Sequence, residues 1–154
     1  GWWGHDKETR FLMEKGFNPI RSAESWQLSN APVLAMAVHK VAIDLHSKIG
    51  MKALREKSQK LTSYLEFCIK QVSGNHPNAI FEIITPSNPE ERGAQLSILV
   101  HGKGKQLFDY LTKNGVIADW REPNVIRIAP VPIYNSFEDC YRFSEVLNSA
   151  VECE

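Results

Sequence analysis

A single arginine in an apolar segment is the first residue whose type and position suggest chemistry. The segment "NVIRIAPVP" predicts a strand over residues 125–129, followed by a stiff Pro-Val-Pro. Side chains alternate along a strand, so Arg127 lies on the face opposite to Ile126 and Ile128. A guanidinium is costly to bury unless it is paired. Arg127 therefore either lies at a solvated edge or pairs with a local carboxylate such as Glu122, or it binds an anionic ligand through two parallel N–H bonds.

Three further groups of residues have both a structural and a functional interpretation. "GWWGH", residues 1–5, is either a buried aromatic anchor or a stacking wall with a polar tip for a ligand. In "LSNAP", Ser29 or Asn30 is the candidate N-cap of the predicted helix, and an N-cap would explain Asn30 fully. "PEERG", residues 89–93, predicts a solvated and partly self-paired turn.

Other common sites are not indicated by the sequence. There is no phosphate-binding glycine loop and no GxSxG motif, and "HGKGK" predicts a strand-to-helix turn. His39 and His46 share a helix face without a third metal ligand. Few and widely spaced cysteines, with Cys68 and Cys140 on apolar helix faces, predict buried thiols and a reducing, cytoplasmic setting.

The elements that must position these groups follow from hydrophobic periodicity and turn residues. We expect a short helix over residues 6–15, a well-buried helix that begins near Pro32, and a third helix over residues 51–72. The second half reads strand, strand, helix, strand, strand, helix, and Ser136 and Asp139 have the spacing of a capping box. The order predicts an α+β fold, a small and mainly antiparallel sheet with helices packed on it.

Bulk composition restricts the choice of partners. The chain has 154 residues, enough for one domain with a proper core. Its 18 basic and 18 acidic residues give a formal net charge of zero, which argues against a nucleic-acid binder that depends on bulk positive charge. No apolar run reaches the length that spans a bilayer, so we expect neither a nucleic acid nor a membrane as partner.

Five segments taken together carry a family resemblance. In chain order they are "GWWGH", "LSNAP", "MKALREKSQKLTSYLE", "ITPSNPEERGAQLS" and "IRIAPVPIYNSFEDCYRF". They resemble the C-terminal part of the kynureninases, which belong to the aspartate-aminotransferase-like, fold-type-I superfamily of pyridoxal-phosphate enzymes. The resemblance implies residues 1–30 as a remnant of the large cofactor domain and residues 31–154 as the small C-terminal domain.

The resemblance also implies an activity. Kynureninases hydrolyse L-kynurenine or 3-hydroxykynurenine to anthranilate or 3-hydroxyanthranilate and L-alanine, in tryptophan catabolism and NAD biosynthesis. The cofactor is pyridoxal 5'-phosphate, and related enzymes are homodimers. The Schiff-base lysine of the family precedes the "GWWGH" segment, and no lysine of this chain matches its motif. The resemblance therefore implies no catalytic residue here, a chain that is inactive by itself, and no cofactor bound to it alone.

Four residues match positions that contact ligands in the family. Trp2 matches a residue at the cofactor phosphate, and Asn30 matches one at the cofactor and substrate site. His5 matches a histidine near the aromatic ring of the substrate, and Arg127 matches the arginine that binds the substrate α-carboxylate. With this resemblance, a ligand role is favoured for Arg127.

Two rival interpretations remain open at the level of sequence. Another fold-type-I enzyme, such as a cysteine desulfurase or an aminotransferase, would share the arginine but would not explain His5. A non-catalytic α+β interaction module would explain the missing lysine motif. Residues encoded upstream of Gly1 would distinguish the module from an enzyme.

Overall fold

The computed structural model describes residues 2–78 and 81–152. The chain divides into two compact units, Gly1–Lys48 and Ile49–Glu154. The boundary expected near residue 30 concerns the domains of a longer enzyme and stays a prediction. Cys153 and the first two residues of the predicted strand "AIFEIIT" lie outside the described residues.

The first unit begins with a tight turn that depends on a glycine. Two short 3₁₀ helices, Trp2–Gly4 and Ala23–Trp26, approach each other closely. A Cβ on Gly4 would lie 2.1 Å from the carbonyl oxygen of Ser25, so only glycine fits there. The Gly4 carbonyl in turn accepts a hydrogen bond from the Ile20 amide at 2.9 Å. These contacts pack the aromatic N-terminal segment against the residues around Ile20 and Ser25.

The short helix predicted over residues 6–15 is wrong. The segment forms consecutive turns, in which the Asp6 carboxylate accepts hydrogen bonds from the Glu8 and Thr9 amides. Such an arrangement is that of an N-cap and favours a first helical turn. The turn is not continued, since Met13 has a φ of 60°, in the left-handed region. One helical hydrogen bond, from the Arg10 amide to the Asp6 carbonyl, is made before the chain turns away.

The first long helix, α1, spans Val33–Ile49 and begins directly after Pro32, as expected. The prediction that it is well buried is wrong, because none of its residues is buried in this chain. Leu34 is 84% exposed and Val38 is 74% exposed. Large apolar residues lie on more than one side of α1, a pattern typical of a helix enclosed by other structure. The sequence therefore encodes burial that residues 2–78 and 81–152 do not supply.

The second unit contains the remaining regular elements, in the predicted order. Helix α2 spans Met51–Asn75, and its predicted apolar stripe is buried except for Met51, which is exposed. The other elements are β1 (Phe81–Ile83), β2 (Leu96–Val100), α3 (Gly104–Lys113), β3 (Asp119–Arg121), β4 (Val125–Ile128) and α4 (Phe137–Glu152). The strand expected at "VIAD" begins only at its last residue, since pairing with β4 starts there. The α+β prediction is otherwise confirmed.

The four strands form one antiparallel sheet in the order β1-β2-β4-β3. One face of the sheet carries Leu96, Ile98, Ile126 and Ile128, which are buried in the core with apolar residues of α2, α3 and α4. Side chains of the alternate positions lie on the other face and are half-buried or exposed. The sheet is thus covered on one side, and its second side is open within this unit.

Helix α4 begins with the expected capping box. The Asp139 amide donates to the Ser136 hydroxyl at 3.3 Å, and the Ser136 amide donates to the Asp139 carboxylate at 2.7 Å. These reciprocal bonds satisfy backbone donors that the first turn of a helix leaves free. Hydrogen bonds from the backbone and side chain of Ser136 lower the pKa of Asp139 below its ordinary value.

Candidate functional site

Arg127 lies on the open face of the sheet and is paired there with Asp119. The two residues are register partners on β4 and β3. The Arg127 Nε–H donates to Asp119 Oδ2 at 2.7 Å, and Nη2 contacts the same oxygen. Of the alternatives that the sequence left open, Arg127 pairs with a local carboxylate, but with Asp119 and not with Glu122. Glu122 instead accepts a hydrogen bond from the Trp120 indole at 2.9 Å.

A second guanidinium joins this ion pair. Arg121 Nε lies 3.1 Å from the same Oδ2 of Asp119. The hydrogen bond from Arg127 is the largest effect on Asp119, and with the charges of both arginines it holds the pKa of that carboxyl below its ordinary value. One carboxylate therefore neutralises one of two positive charges on the open face.

Part of the Arg127 fork remains unused. Its side chain is 33% exposed, and Nη1 makes no hydrogen bond to any residue in the described ranges 2–78 and 81–152. Ser97 faces it across the β2–β4 pair and is small. A planar guanidinium with one edge held and another edge open can still bind a carboxylate in bidentate fashion.

Trp2 and His5 lie in the turn that opens the first unit. The Trp2 ring packs against Trp3 and Phe11, with centroids 5.4 and 5.5 Å apart, yet half of the residue is exposed. Trp3 is half-buried, in accord with an aromatic anchor, while the exposed Trp2 indole leaves a ligand role as a prediction.

Both ring nitrogens of His5 are used inside the first unit. The Asn18 amide donates to Nδ1 at 3.3 Å, so Nδ1 is the acceptor and Nε2 carries the proton. Nε2 lies 3.1 Å from the Thr9 hydroxyl, to which it donates. The ring also meets Phe17 edge-on at 5.8 Å. These contacts fix the orientation of the imidazole.

Asn30 is exposed at the bend that precedes α1. It does not cap the helix, which begins at Val33. No hydrogen bond joins its side chain to any other part of the chain that the structure describes. The simple N-cap interpretation is therefore wrong, and the Asn30 amide retains its donors and its acceptor.

Arg10 is a residue that sequence reasoning missed. It is buried, and its Nη2 donates to the carbonyl oxygens of Trp3 and His5, each at 3.1 Å. Its guanidinium carbon lies 4.6 Å from the centroid of the Trp3 ring. Arg10 therefore holds the backbone of the turn that carries Trp2 and His5. The sequence around Arg10, "DKETRFLM", has no hydrophobic periodicity that would predict a buried side chain at this position.

The "PEERG" turn is largely exposed, as predicted, but the expected pairing within the turn is wrong, because Arg92 pairs with α2. The Arg92 side chain is only 4% exposed, and Nη1 lies 2.5 Å from Glu66 Oε2 on α2. The same Nη1 donates to the Pro86 carbonyl at 3.3 Å. Side chains of α2 make further hydrogen bonds to the segment before β2, among them Gln59 to Glu90 at 2.9 Å and Arg55 to the Pro89 carbonyl. This motif stabilises the fold.

The buried cysteines offer no nucleophile. Cys68 and Cys140 are buried free thiols, as predicted. Burial raises the pKa of the Cys140 thiol to about 11, with a further contribution from Cys68. Since the thiolate is the reactive form, this sulfur is inert at neutral pH.

The comparisons with known proteins converge on one family. Residues 54–147 match the model of the kynureninase C-terminal domain. This chain belongs to the kynureninase C-terminal domain family. Its similarity to kynureninases extends beyond that domain: the kynureninase of Flavobacterium johnsoniae is 54% identical over 98% of this chain and 35% of the relative. The kynureninases of Christiangramia forsetii and Koribacter versatilis are 52% and 50% identical, over 98% and 93% of this chain.

The chain spans about a third of the length of these kynureninases. Among solved structures, an acetylornithine aminotransferase from Elizabethkingia anophelis superposes with a TM-score of 0.60. It is 20% identical and covers 79% of this chain and 29% of the aminotransferase. At this identity the match shows the fold alone, and it agrees with the α+β fold that the sequence predicts.

Three of the four predicted site residues, Trp2, His5 and Asn30, lie in the first unit, and Arg127 lies in the second. Their roles toward a ligand stay predictions. None of the helices in residues 2–78 and 81–152 combines the length and apolar character that crossing a membrane requires.

Proposed function

We propose that this chain is the C-terminal part of a kynureninase, a pyridoxal-phosphate-dependent hydrolase that acts on a carbon–carbon bond next to a ketone. Its substrate is L-kynurenine or 3-hydroxykynurenine, and its products are L-alanine and the corresponding anthranilate. The observation that carries the proposal is Arg127, a half-exposed guanidinium on an open sheet face with an unused edge. About 50% identity to kynureninases over nearly the whole chain supports it.

Arg127 performs the first task, which is to bind and orient the amino-acid end of the substrate. Two parallel N–H bonds to the α-carboxylate fix both the position and the rotation of that group. Orientation matters because the bond that breaks must be aligned with the electron-accepting system. The β-sheet supports the arginine, and prolines follow directly after β4, so little ordering is left to be done on binding.

The residues of the first unit fit a phosphate-bearing cofactor. The Trp2 indole is half-exposed and the Asn30 amide is exposed. Neither side chain donates a hydrogen bond to the described part of the chain. Trp2 would donate its N–H to the phosphate, and Asn30 would contact the cofactor and the substrate. When bound, pyridoxal phosphate supplies an electron sink for carbanion chemistry. The lysine that holds it would lie in the part of the enzyme that precedes this chain.

His5 and Asn30 would line the aryl end of the substrate pocket. Since both nitrogens of His5 are engaged, the imidazole meets a ligand through its ring edge unless a hydrogen bond to Thr9 or Asn18 is broken. Exchange of His5 for serine should change the ratio of kcat/KM for kynurenine to that for 3-hydroxykynurenine several-fold, about the value of one hydrogen bond or close contact. Equal loss of both activities, with the ratio unchanged, would remove His5 from the pocket.

The proposal includes a cytoplasmic homodimer in which other parts of the longer protein cover this chain. The exposed apolar residues of α1 support a covered position, because a helix of this pattern is costly to leave in water. The open face of the sheet supports one as well, since a site must be closed around its ligand to exclude water.

The test uses the full-length protein and this chain side by side. We expect the full-length protein with pyridoxal phosphate to release anthranilate and alanine from kynurenine in equal amounts. This chain alone should give no product and no borohydride-trappable adduct with the cofactor. Absence of product from a full-length protein that binds the cofactor would refute the proposal, and a stoichiometric adduct on this chain would refute the upstream lysine.

A further inference from the structure

Asp119 is placed to control how Arg127 meets a ligand. β3 and β4 are paired so that the two Cα atoms face each other, and the side chains share the open face of the sheet. Both Nε–H and Nη2 of Arg127 point to one oxygen, Oδ2, of Asp119. The carboxylate therefore holds the side edge of the guanidinium. The end edge, formed by Nη1 and the second hydrogen of Nη2, is left for another acceptor.

The local charges also leave room for one further anion. Arg121 and Arg127 contribute two positive charges, and Asp119 contributes one negative charge. Among the described residues near this pair, Glu122 makes its hydrogen bond to the Trp120 indole and not to either arginine. Glu82 lies on the edge strand β1, two strands away from β4, with its carboxylate 3.6 Å from His101 Nε2. The cluster thus carries a net positive charge that one ligand carboxylate would neutralise.

We propose that Asp119 is a positioning residue: it fixes the side edge of Arg127 so that the end edge presents two parallel N–H groups to the substrate carboxylate. The inference rests on the proposed function. A free arginine side chain samples many rotamers, and holding it in one of them before binding reduces the entropy lost with the ligand. Two strands that are hydrogen-bonded to each other hold Asp119 and Arg127 in register, which makes the arrangement rigid.

A competing role predicts the opposite sign. If Asp119 merely occupies the arginine until substrate arrives, its negative charge repels the ligand, and a neutral residue at this position strengthens binding. If it positions the arginine, loss of the carboxylate weakens binding although repulsion is relieved. Asp119→Asn and Asp119→Glu separate the two roles, since the first removes the charge and the second keeps the charge but displaces it by one methylene.

The experiment measures equilibrium binding to the full-length holoenzyme of two probes. One is deaminated kynurenine, which keeps the carboxylate. The other is the aryl ketone obtained from it by replacing the carboxylate with hydrogen. We expect both Asp119 variants to weaken binding of the carboxylate probe about three- to tenfold, the effect of one hydrogen bond, and to leave the ketone unchanged. Glu122→Gln, a carboxylate change in the same hairpin without contact to the arginines, is the matched control and should change neither.

Three results would overturn the inference: tighter binding of the carboxylate probe to Asp119→Asn, unchanged binding to both variants, or equal weakening of both probes. A double variant with Arg127→Lys should bind the carboxylate probe no more weakly than Arg127→Lys alone, because Asp119 acts through the arginine. If the losses of binding free energy from the Asp119 and Arg127 substitutions simply add, the inference is also contradicted. The proposed function fails in a different way: it is refuted if Arg127→Lys weakens binding of both probes equally or of neither. Failure of the Asp119 inference alone leaves Arg127→Lys selective against the carboxylate probe.

Discussion

Two arginines of the second unit each pair with a carboxylate, but their surroundings differ. Arg92 is only 4% exposed, and its fork lies between Glu66 on α2 and the carbonyl of Pro86. Arg127 is 33% exposed, and Asp119 holds one edge of its fork while Nη1 has no partner in the described ranges. A carboxylate partner alone therefore does not separate a structural arginine from one that binds a ligand. The two kinds of arginine are separated by how deeply the guanidinium is buried and by whether its remaining N–H groups have hydrogen-bond partners.

The difference follows from which layer each arginine joins. Arg92 connects α2, which packs on the core, to the segment before β2. Loss of Arg92 removes a charged partner from Glu66, whose side chain is nearly buried. Arg127 lies on the side of the sheet that the described helices of the second unit leave open. Removing Arg127 leaves Asp119 with solvent and with Arg121, which already lies 3.1 Å away. The first loss should affect folding, and the second should affect binding.

The largest expected effect comes from removing the Arg127 charge. In the full-length enzyme, Arg127→Met should lower kcat/KM for kynurenine by roughly a hundredfold or more, since two charged hydrogen bonds of about 1.5 to 3 kcal/mol each are lost. The melting temperature should change little, because Asp119 stays solvated. Steady-state kinetics and thermal denaturation of the same preparation check this. A nearly normal kcat/KM would assign Arg127 to the fold.

The corresponding change at Arg92 should act on stability. Arg92→Met should lower the free energy of unfolding by about 3 kcal/mol, because Lys70 is then the only partner of Glu66 among residues 2–78 and 81–152. Urea denaturation of wild type and variant measures the difference. The fraction that remains folded should keep a normal kcat/KM in the full-length enzyme, and a specific loss of activity without destabilisation would contradict the distinction.

A smaller effect is expected from Glu66, and it should depend on pH. Burial tends to raise the pKa of Glu66, but hydrogen bonds from Lys70 and Arg92 outweigh it, and the pKa lies below the ordinary value of 4.5. A lowered pKa in the folded state stabilises the fold above the unfolded pKa, and this contribution is lost as the pH falls through the folded pKa. Glu66→Gln should therefore destabilise the chain at pH 7, and the difference should shrink below about pH 4.5. A difference that is constant from pH 7 to pH 3 would show that the charge of Glu66 is not what matters.

The elements of the second unit could be predicted because local sequence and packing agree there. The stripe of α2, the alternation of β4 and the Ser136–Asp139 capping box all encode structure that is completed within the unit. The position of helix α1 was predicted correctly but its burial was not, since its apolar pattern requires covering surface outside the described residues. The helix predicted over residues 6–15 does not extend beyond one turn, since Met13 has a φ of 60°, in the left-handed region through which an α-helix cannot continue.

The candidate site was only partly readable from sequence. Arg127 was detectable as a charge in an apolar strand, whereas its partner Asp119 depends on the pairing register of β3 and β4. The predicted strand "VIAD" was three residues too early, and one residue of slip reverses every side chain between the two faces. Arg92 was visible as a turn residue, but its contact with Glu66 joins segments 26 residues apart and has no local signal.

The most direct test of the central claim is one pair of matched substitutions, Arg127→Lys and Arg92→Lys, in the full-length enzyme. Each keeps the charge and removes the planar fork. The account predicts that Arg127→Lys lowers kcat/KM roughly ten- to a hundredfold with a nearly normal melting temperature, and that Arg92→Lys lowers the melting temperature with nearly normal kcat/KM. The reverse pattern, with Arg127→Lys unstable and active, would contradict the claim that the Arg127 fork serves a ligand carboxylate.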